Sequence, residues 1–378
     1  MHIHQLTLSH FRSHKHTQVQ AENSPIAIFG RNGAGKTNII EAISLLSPGR
    51  GLRRASTAEL SKSPDNIGWK LTAEVISDVN SNLIETSWTN TSSRNVKING
   101  KLARQNDLAK LFRVVWLLPS MYRLWIEGAD GRRKFLDRLT LSFFPKHADS
   151  VLNYDKAMRE RNRLLREKIT DSGWYKALER QMAQNGLLIQ LNRIATLKKI
   201  CKAQDKSTTM FPVAELSLSQ TDNYMLTDED EFISVLSENR HLDIMAGRTL
   251  IGPHRSDMEA IYKEKGISAK DSSTGEQKAL LISIILANAR ALKKELGHPP
   301  VMLLDEISAH LDVDRRAALY EEIKALDAQA WMTGTDKKLF SELGHEAQYF
   351  NVIENSGVSD IEEVDVSCLL YTSPSPRD

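Results

Sequence analysis

The residues with the clearest chemical potential lie in "GRNGAGKT", residues 30–37, which match the phosphate-loop pattern G-x-x-x-x-G-K-[ST] in full. The apolar run "IAIF" precedes the loop and a helical pattern of apolar residues follows it. In this context, backbone N–H groups and the positive end of the helix bind phosphate. Lys36 is predicted to reach the β- and γ-phosphates, and the Thr37 hydroxyl to bind magnesium. The predicted phosphate-binding residues are Gly30, Arg31, Asn32, Gly33, Ala34, Gly35, Lys36 and Thr37.

A second pair of reactive groups ends the segment "VMLLDE", residues 301–306. Four apolar residues carry Asp305 and Glu306 to the end of a predicted buried strand, where ligands bind in open α/β sheets. We expect Asp305 to hold the magnesium through water, and Glu306 to polarise the water that attacks the phosphate. Glu306 and Lys36 are therefore the predicted catalytic residues. The alternative is that the two carboxylates only mark the turn after a strand.

The third group is "SSTGEQK", residues 272–278, at the start of an apolar helix. It offers a hydroxyl, backbone N–H groups and a helix dipole to an anion. Because the chain already has one phosphate loop, a second anion site indicates a dimer, in which each helix closes over the nucleotide held by the other copy. A purely structural alternative stays open: Ser273 caps the helix and Glu276 occupies its third position.

The elements that must position these groups alternate along the chain. "IAIF" and "VMLL" are typical of buried strands, and residues 69–100 indicate further strands with a turn at Asn99-Gly100. Residues 131–205 are mostly helical but do not sustain heptads, which favours a compact lobe over a long coiled coil. The predicted fold class is α/β, an ATPase head split in sequence by an inserted helical lobe. Its predicted parts are 1–118 and 246–358 for the head, 119–245 for the lobe, and 359–378 for a disordered or non-native tail.

Composition limits the classes of function. The 378 residues are 41% hydrophobic and 26% charged, with a formal net charge of +2, so any surface for nucleic acid must be local. Only two cysteines occur, without metal-ligand spacing, which fits a reducing compartment. No stretch resembles a signal peptide or a bilayer span. The sequence therefore predicts a cytoplasmic protein without a membrane partner.

The order of the phosphate loop, "STGEQKALLI" (273–282) and "LLDEISAHLD" (303–312) resembles the ATP-binding-cassette (ABC) ATPases, in the branch that includes the SMC proteins. Within that branch the chain is similar to the RecF family of bacterial recombination proteins. The further residues that carry this likeness are "LTLSHFRSH" (6–14), "GRGLR" (49–53), "GRRKFLDR" (131–138), "GPHRSD" (252–257) and "TGTD" (333–336). Together the motifs cover residues 1 to about 355.

The resemblance implies ATP and Mg²⁺ as cofactors and adds residues to the site. Ser273 and Gly275, with Glu276 beside them, would face the γ-phosphate of the ATP held by the other copy, and Asp312 would link the two sites. Asn32 would face the dimer seam. Arg12 matches an N-terminal arginine near the nucleotide, with an ordinary surface arginine as the alternative. Two features depart from ABC transporters: "WLLPSM" (116–121) lacks their glutamine, and Thr335 with Asp336 replaces their histidine.

The implied function is ATP-dependent DNA binding in recombinational repair. The chain would form a homodimer with ATP at DNA gaps or stalled forks, on single-stranded, duplex or gapped DNA, with RecR and RecO as partners. It would help RecA loading, replication restart and SOS induction, with a weak DNA-stimulated ATPase as its switch. The alternatives are the ATPase subunit of an ABC transporter, an SMC-type tether and a small-molecule kinase. The predicted DNA contacts are Arg53, Arg54, Arg132, Arg133 and Lys134, and further basic candidates are Arg50, Lys198, Lys199 and Lys202.

Overall fold

The computed structural model describes residues 1–77, 80–90, 93–169, 171–205, 209–220, 227–307 and 311–365. Its strands are β1 (His2–Phe11), β2 (His14–Gln20), β3 (Ile26–Phe29), β4 (Trp69–Ser77), β5 (Asn80–Trp88), β6 (Asn95–Ile98), β7 (Lys101–Ala103), β8 (Val114–Leu117), β9 (Ala214–Gln220), β10 (Ser256–Tyr262), β11 (Ile267–Ser268), β12 (Val301–Leu304), β13 (Ala330–Gly334), β14 (Gln348–Asn355) and β15 (Val358–Glu363). Its α-helices are α1 (Lys36–Ser44), α2 (Leu108–Leu111), α3 (Ala129–Phe143), α4 (His147–Arg166), α5 (Ser172–Gln204), α6 (Glu229–Glu238), α7 (Arg240–Ala246), α8 (Thr274–Leu296) and α9 (Val313–Leu326).

One sheet positions the predicted chemistry, and we call it the nucleotide sheet. Its strand order is β15-β14-β3-β13-β12-β8, with β14, β3, β13, β12 and β8 parallel and β15 antiparallel to β14. All residues of β3, β12 and β13 are buried, as expected for the middle of a parallel sheet that is covered on both faces. The carboxyl ends of these three strands therefore meet at one edge, where the phosphate loop follows β3 and Asp305 follows β12.

A second, antiparallel sheet has the order β2-β1-β4-β5-β6-β7. Alternate residues such as Leu6, Leu8 and Leu71 are fully buried in the core that this sheet shares with the nucleotide sheet. The turn predicted at Asn99-Gly100 is confirmed: both residues have positive φ, at 50° and 78°, and join β6 to β7.

The chain divides into two units. The first, called the head unit, comprises the described residues within Met1–Met121, Thr208–Phe211 and Ala289–Asp378, and it contains both sheets above. The second, called the helical unit, comprises those within Tyr122–Ser207 and Pro212–Asn288. The predicted boundaries were 119 and 245, so residues 246–288 group with the helices instead. The reason is strand pairing, because β10 pairs along its whole length with β9.

Within the helical unit, α3, α4 and α5 confirm the helical prediction for residues 131–205, and the three-stranded sheet β11-β10-β9 packs beside them. The longest helix of the described chain, α5, has 33 residues, which corresponds to about 50 Å. That length suits a compact lobe. None of the helices in the described ranges combines the length and apolarity needed to span a bilayer.

The predicted tail requires a correction. Residues 358–363 form β15, which pairs with β14 across a turn at Gly357, and Ser359 is fully buried. Period-two alternation is weak in "VSDIEE", so the sequence alone did not reveal this edge strand. Residues 366–378 lie outside the described chain.

Candidate nucleotide site

The phosphate loop owes its shape to glycines. Gly30, Gly33 and Gly35 have φ values of 146°, 84° and 104°, a region that residues with a Cβ rarely adopt. At Gly30, an added Cβ would also collide with the carbonyl oxygen of Val352 on β14. The loop residues Arg31, Asn32 and Gly33 are exposed, while positions 34–36 are buried. The loop thus presents its first turn outward and its last turn to the start of α1.

The Lys36 side chain lies folded over this loop. Its Nζ donates to the carbonyl oxygens of Gly30 at 2.8 Å and Arg31 at 2.9 Å, and the residue is 4% exposed. Burial lowers the pKa of Lys36, while the nearby carboxylates of Glu306 and Asp305 act to raise it. An ammonium group has three N–H donors, so one remains for a ligand oxygen. The lysine is therefore positioned for a phosphate group.

The two halves of the predicted magnesium site meet in the structure. Thr37 Oγ1 donates to Asp305 Oδ1 at 2.9 Å, although the residues are far apart in sequence. Thr333 Oγ1, at the end of β13 between the two strands, donates to the same carboxylate oxygen at 2.7 Å. A hard cation such as Mg²⁺ prefers hydroxyl and carboxylate oxygens, so this donor set fits it.

Thr333 was not among the predicted site residues. The available signal was one polar residue inside the otherwise apolar strand "AWMTG". Its hydroxyl also accepts a hydrogen bond from the backbone N–H of Glu306 at 3.0 Å. Glu306 adopts a left-handed backbone with φ of 51°, which is uncommon for a residue with a side chain and typical of functional positions. Thr333 therefore orients both acidic residues.

The outer side of the loop is fastened by a chain of hydroxyl groups. Ser359 Oγ, on β15, lies 2.6 Å from both the carbonyl oxygen of Ala34 and the hydroxyl of Ser13. Because a carbonyl only accepts, Ser359 donates to the carbonyl of Ala34 and accepts a hydrogen bond from the Ser13 hydroxyl. Ser13 in turn accepts from Asn38 Nδ2 at 2.8 Å. Sequence reasoning missed this contact because it placed residue 359 in the tail.

His14 supports the next carbonyl of the loop. Its Nε2 lies 3.2 Å from the carbonyl oxygen of Gly35 and its Nδ1 lies 2.9 Å from Thr17 Oγ1. The carbonyl requires a donor, so the proton resides on Nε2 and Nδ1 accepts from the threonine. Burial lowers the pKa of His14, the hydrogen bond to Gly35 acting in the opposite direction. A neutral histidine therefore holds the outer carbonyl of the loop.

Arg12 lies close behind the loop but its guanidinium is occupied. Two of its nitrogens donate to the two carboxylate oxygens of the buried Glu41 on α1, both at 2.9 Å, and a third donates to the carbonyl of Glu59. Arg53 donates to the same Glu41 at 3.3 Å and to Asn38 at 3.1 Å. In this arrangement both arginines stabilise α1 through Glu41, Arg12 largely buried and Arg53 still partly exposed.

The "STGEQ" segment belongs to the helical unit. Ser273 and Glu276 form a reciprocal cap: the Ser273 N–H donates to Glu276 Oε2 at 2.8 Å, and the Glu276 N–H donates to Ser273 Oγ at 3.4 Å. Glu276 also pairs with Lys265, which lowers the pKa of Glu276 to about 2. Ser273 and Gly275 are exposed, and an added Cβ at Gly275 would meet no atom within 4 Å. The capping alternative is thus present for Glu276, while no atom of the described residues around position 275 requires a glycine there.

The predicted DNA contacts are not equally available. Arg132 makes a two-point ion pair with Asp257, at 2.8 and 2.7 Å. It also donates to the backbone carbonyl oxygens of Leu124 and Glu127. Arg133 donates to the carbonyl of Ser256 at 2.9 Å. These internal bonds give the two arginines a structural role in tying α3 to β10. The remaining three predicted contacts are more exposed: Arg53, which pairs with Glu41, Arg54, and Lys134 beside Asp130.

The last residues taken from the resemblance have local structural partners. Asp312 caps α9, because its carboxylate accepts from the backbone N–H of Arg315 at 2.8 Å. Residues 308–310 of the same motif lie outside the described chain. Asp336 likewise caps a 3-10 turn at residues 337–346 through Lys338. In "WLLPSM", β8 ends at Leu117 and a 3-10 turn covers residues 119–123.

This chain is similar in sequence to known proteins over most of its length. The RecF/RecN/SMC N-terminal domain family matches residues 2–359. The "DNA replication and repair protein RecF" of Rhizobium rhizogenes is 44% identical over 361 residues, which covers 93% of this chain and 96% of the relative. The protein of the same name from Rhizobium meliloti is 43% identical over 362 residues, covering 92% and 96%.

Two solved structures show the fold. The recombination mediator protein RecF with ATP, from the RecFOR pathway, superposes with a TM-score of 0.82 at 23% identity, covering 96% of this chain and 99% of that one. An SMC head bound to the C-terminal winged-helix domain of ScpA gives a TM-score of 0.59 at 16% identity, covering 98% and 99%. The fold is therefore the ABC-type ATPase head shared by RecF and SMC proteins, as the sequence predicted.

Proposed function

Because this chain belongs to the RecF/RecN/SMC N-terminal domain family, and within it to the RecF proteins of DNA replication and repair, we propose that it is a cytoplasmic DNA-binding protein switched by ATP. The observation that carries the proposal is the meeting of Thr37 and Asp305 at 2.9 Å beside the buried Lys36. A phosphate loop, a cation site and a buried ammonium group at one sheet edge suit a nucleoside triphosphate with its metal ion. The solved RecF structure with ATP supports the choice of nucleotide.

Each residue then has a task in phosphoryl transfer. Lys36 and the loop N–H groups hold the phosphates, while Thr37 and Asp305 hold Mg²⁺, which neutralises charge on the phosphate oxygens when it is bound. Thr333 fixes the carboxylate of Asp305 and, through the backbone N–H of Glu306, directs that residue. Glu306 accepts the proton of the attacking water. Hydrolysis resets the switch.

We further propose that two copies form the complete site. Ser273 and Gly275 lie exposed at the start of α8, and packing among the described residues does not account for a glycine at position 275. A helix N-terminus favours phosphate, and here we propose the phosphate of a nucleotide held by a second copy. ATP that contacts both copies only in the dimer stabilises the dimer, so nucleotide binding shifts the population towards it. Hydrolysis is then slow in the monomer.

DNA and the RecOR proteins are the partners we propose. The relatives are named for DNA replication and repair, and the RecF structures are assigned to the RecFOR pathway. In this proposal the ATP-bound dimer holds DNA at gaps or stalled forks, and RecR and RecO join it there to help load RecA. The activity is a weak, DNA-stimulated ATPase that sets how long the complex lasts.

Replacing the phosphate-loop lysine tests the switch. Lys36→Arg keeps the charge but cannot fit the ammonium position between two carbonyls, so we expect loss of ATP-dependent dimerisation in sedimentation velocity. Lys293→Arg, where Nζ donates to the carbonyl of Leu326, is the matched control and should dimerise like wild type. A Lys36→Arg protein that still dimerises with ATP would remove the sandwich model.

Replacing the proposed base separates binding from hydrolysis. Glu306→Gln should bind ATP normally, lose hydrolysis, and remain a dimer on DNA for longer than wild type. Glu346→Gln, an exposed carboxylate of the head unit, is the control and should hydrolyse ATP at the wild-type rate. Loss of ATP binding in Glu306→Gln would assign this residue to binding rather than to catalysis.

A further inference from the structure

Two segments of the head unit contain no acidic residue. They are residues 42–58, which follow the middle of α1, and residues 86–106, which run from the end of β5 past β7. Acidic residues number 48 of 378 in the whole chain, or about one in eight, so four or five would be expected in these stretches. The segments instead carry Arg50, Arg53, Arg54, Arg94, Lys97, Lys101 and Arg104.

Arg94 fastens the two segments together. Its side chain, in a residue only 7% exposed, donates to the carbonyl oxygens of Gly49 at 2.7 Å and Leu45 at 3.0 Å, at the end of α1. Burial lowers the pKa of Arg94 to about 10, so it stays charged at neutral pH. A buried guanidinium with carbonyl partners fixes the loop after α1 against the strand that starts at Asn95.

Six other cations of these segments are exposed, and two of them have an acidic partner: Arg53 pairs with Glu41, and Arg104 lies beside Asp107. The other four are Arg50 and Arg54 on the loop, and Lys97 and Lys101 on the β6–β7 hairpin. Within the described residues, the ion pairs of this region join Glu41 to Arg12 and Arg53, and Glu85 to Lys70. Glu85 lies opposite Lys97 in the sheet, but Lys70 already occupies its carboxylate. The last four cations, Arg50, Arg54, Lys97 and Lys101, thus take no part in the ion pairs of the described chain.

We propose that Arg50, Arg54, Lys97 and Lys101 form a surface, here called the loop–hairpin surface, that binds the phosphates of DNA. The inference rests on the proposed function, because it names where the head unit contacts the DNA. Long exposed cations that form no ion pair attract a polyanion and release its counterions, and they do so without reading sequence. Arg132 and Arg133, by contrast, are held by internal partners.

The test compares two variants, each of which replaces four exposed cations of one unit by glutamate. The first variant carries Arg50→Glu, Arg54→Glu, Lys97→Glu and Lys101→Glu. The control carries Lys156→Glu, Arg159→Glu, Arg166→Glu and Lys176→Glu, four exposed cations of α4 and α5. Binding of a labelled gapped duplex is followed by fluorescence anisotropy with ATP between 50 and 200 mM salt. Binding of a fluorescent ATP analogue verifies that each variant is folded.

We expect the loop–hairpin variant to lose DNA affinity by roughly fivefold per phosphate contact at 0.15 M salt, with a salt slope smaller by about 0.9 per contact. The control should stay within about twofold of wild type, and both should bind ATP normally. If only the control loses affinity, DNA binds elsewhere and the surface is wrong while the proposed function stands. If wild type itself fails to bind DNA, the proposed function and the surface both fall.

A milder variant guards against a general effect of negative charge. Replacing the same four loop–hairpin residues by glutamine removes the cations without adding anions. It should weaken DNA binding in the same direction with a smaller change, while keeping ATP-dependent dimerisation. Unchanged DNA affinity in the glutamine variant would contradict the proposal, because the reversal would then have acted only through repulsion.

Discussion

The head unit and the helical unit each bury a cluster of charged groups, and the two clusters are built differently. In the helical unit, Arg161 is fully buried and donates to Glu179, Asp243, Thr249 and the carbonyl of Leu236 at 2.6 to 3.1 Å. Both carboxylates have further donors of their own within the unit. This cluster is closed, since the guanidinium and both carboxylates are held by other protein groups.

The cluster of the head unit is open. Lys36 donates only to loop carbonyls, and Asp305 accepts from the hydroxyls of Thr37 and Thr333, groups that can also bind a metal ion. None of these contacts pairs the lysine directly with the carboxylate. Burial of charge alone therefore does not identify a functional site: what distinguishes this one is that its partners are neutral groups that a ligand can join or replace.

One replacement in each cluster should change the free energy of unfolding by very different amounts. Arg161→Met leaves Glu179 and Asp243 buried with too few positive partners, so the free energy of unfolding should fall by about 3–5 kcal/mol. Lys36→Met should change it by less than about 1 kcal/mol, because the carbonyls of Gly30 and Arg31 lie in a partly exposed loop where water replaces the ammonium. Chemical denaturation without nucleotide measures both values.

A surface arginine and the effect of ATP provide two controls for this pair of variants. Arg163→Met, on the exposed face of the same helix as Arg161, should cost less than about 1 kcal/mol although it breaks two surface ion pairs. Thermal stabilisation by ATP should disappear in Lys36→Met and persist in Arg161→Met. Equal stability losses in the two methionine variants would show that the clusters do not differ in the way described.

A second prediction concerns pH and the closed packing of the helical unit. Burial lowers the pKa of His254 to about 4, and its neutral ring accepts from Tyr154 at 2.7 Å and lies 3.1 Å from the carbonyl of Thr249. Between the unfolded pKa near 6.5 and about 4, the unfolded chain binds more protons at this residue. The contribution of His254 to the free energy of unfolding is therefore fully present above pH 6.5. It is lost as the pH falls towards 4, by about 3 kcal/mol in total.

Comparing wild type with His254→Gln isolates that contribution. The variant should show a shallower loss of unfolding free energy between pH 6.5 and 4, measured by denaturant titration at each pH. His14 in the head unit also has its pKa lowered by burial, so part of the slope should remain. Identical slopes for both proteins would mean that His254 is not buried in its neutral form.

The sequence reveals the open cluster better than the closed one, for a physical reason. Phosphate binding needs glycines, a lysine and a hydroxyl within one loop, so the requirement appears as a local pattern in residues 30–37. The closed cluster joins residues from α4, α5 and α7 and the loop at Thr249, which have no fixed spacing. Thr333 and Ser359 were missed for the same reason, because only sheet pairing brings Thr333 to Asp305 and Ser359 to the loop.

Replacing Ser359 tests whether the open cluster depends on support from β15. Ser359→Ala removes the donor to the Ala34 carbonyl and leaves the Ser13 hydroxyl without its acceptor, at a cost of about 1 kcal/mol. If the hairpin shapes the phosphate loop, that cost should appear in ATP affinity as a loss of about fivefold. Ser61→Ala breaks a comparable buried bond to the carbonyl of Gly68 in the same unit and should cost stability without changing ATP affinity. ATP titration and denaturation of both variants decide the matter, since equal ATP affinities would mean that the loop holds its shape without β15.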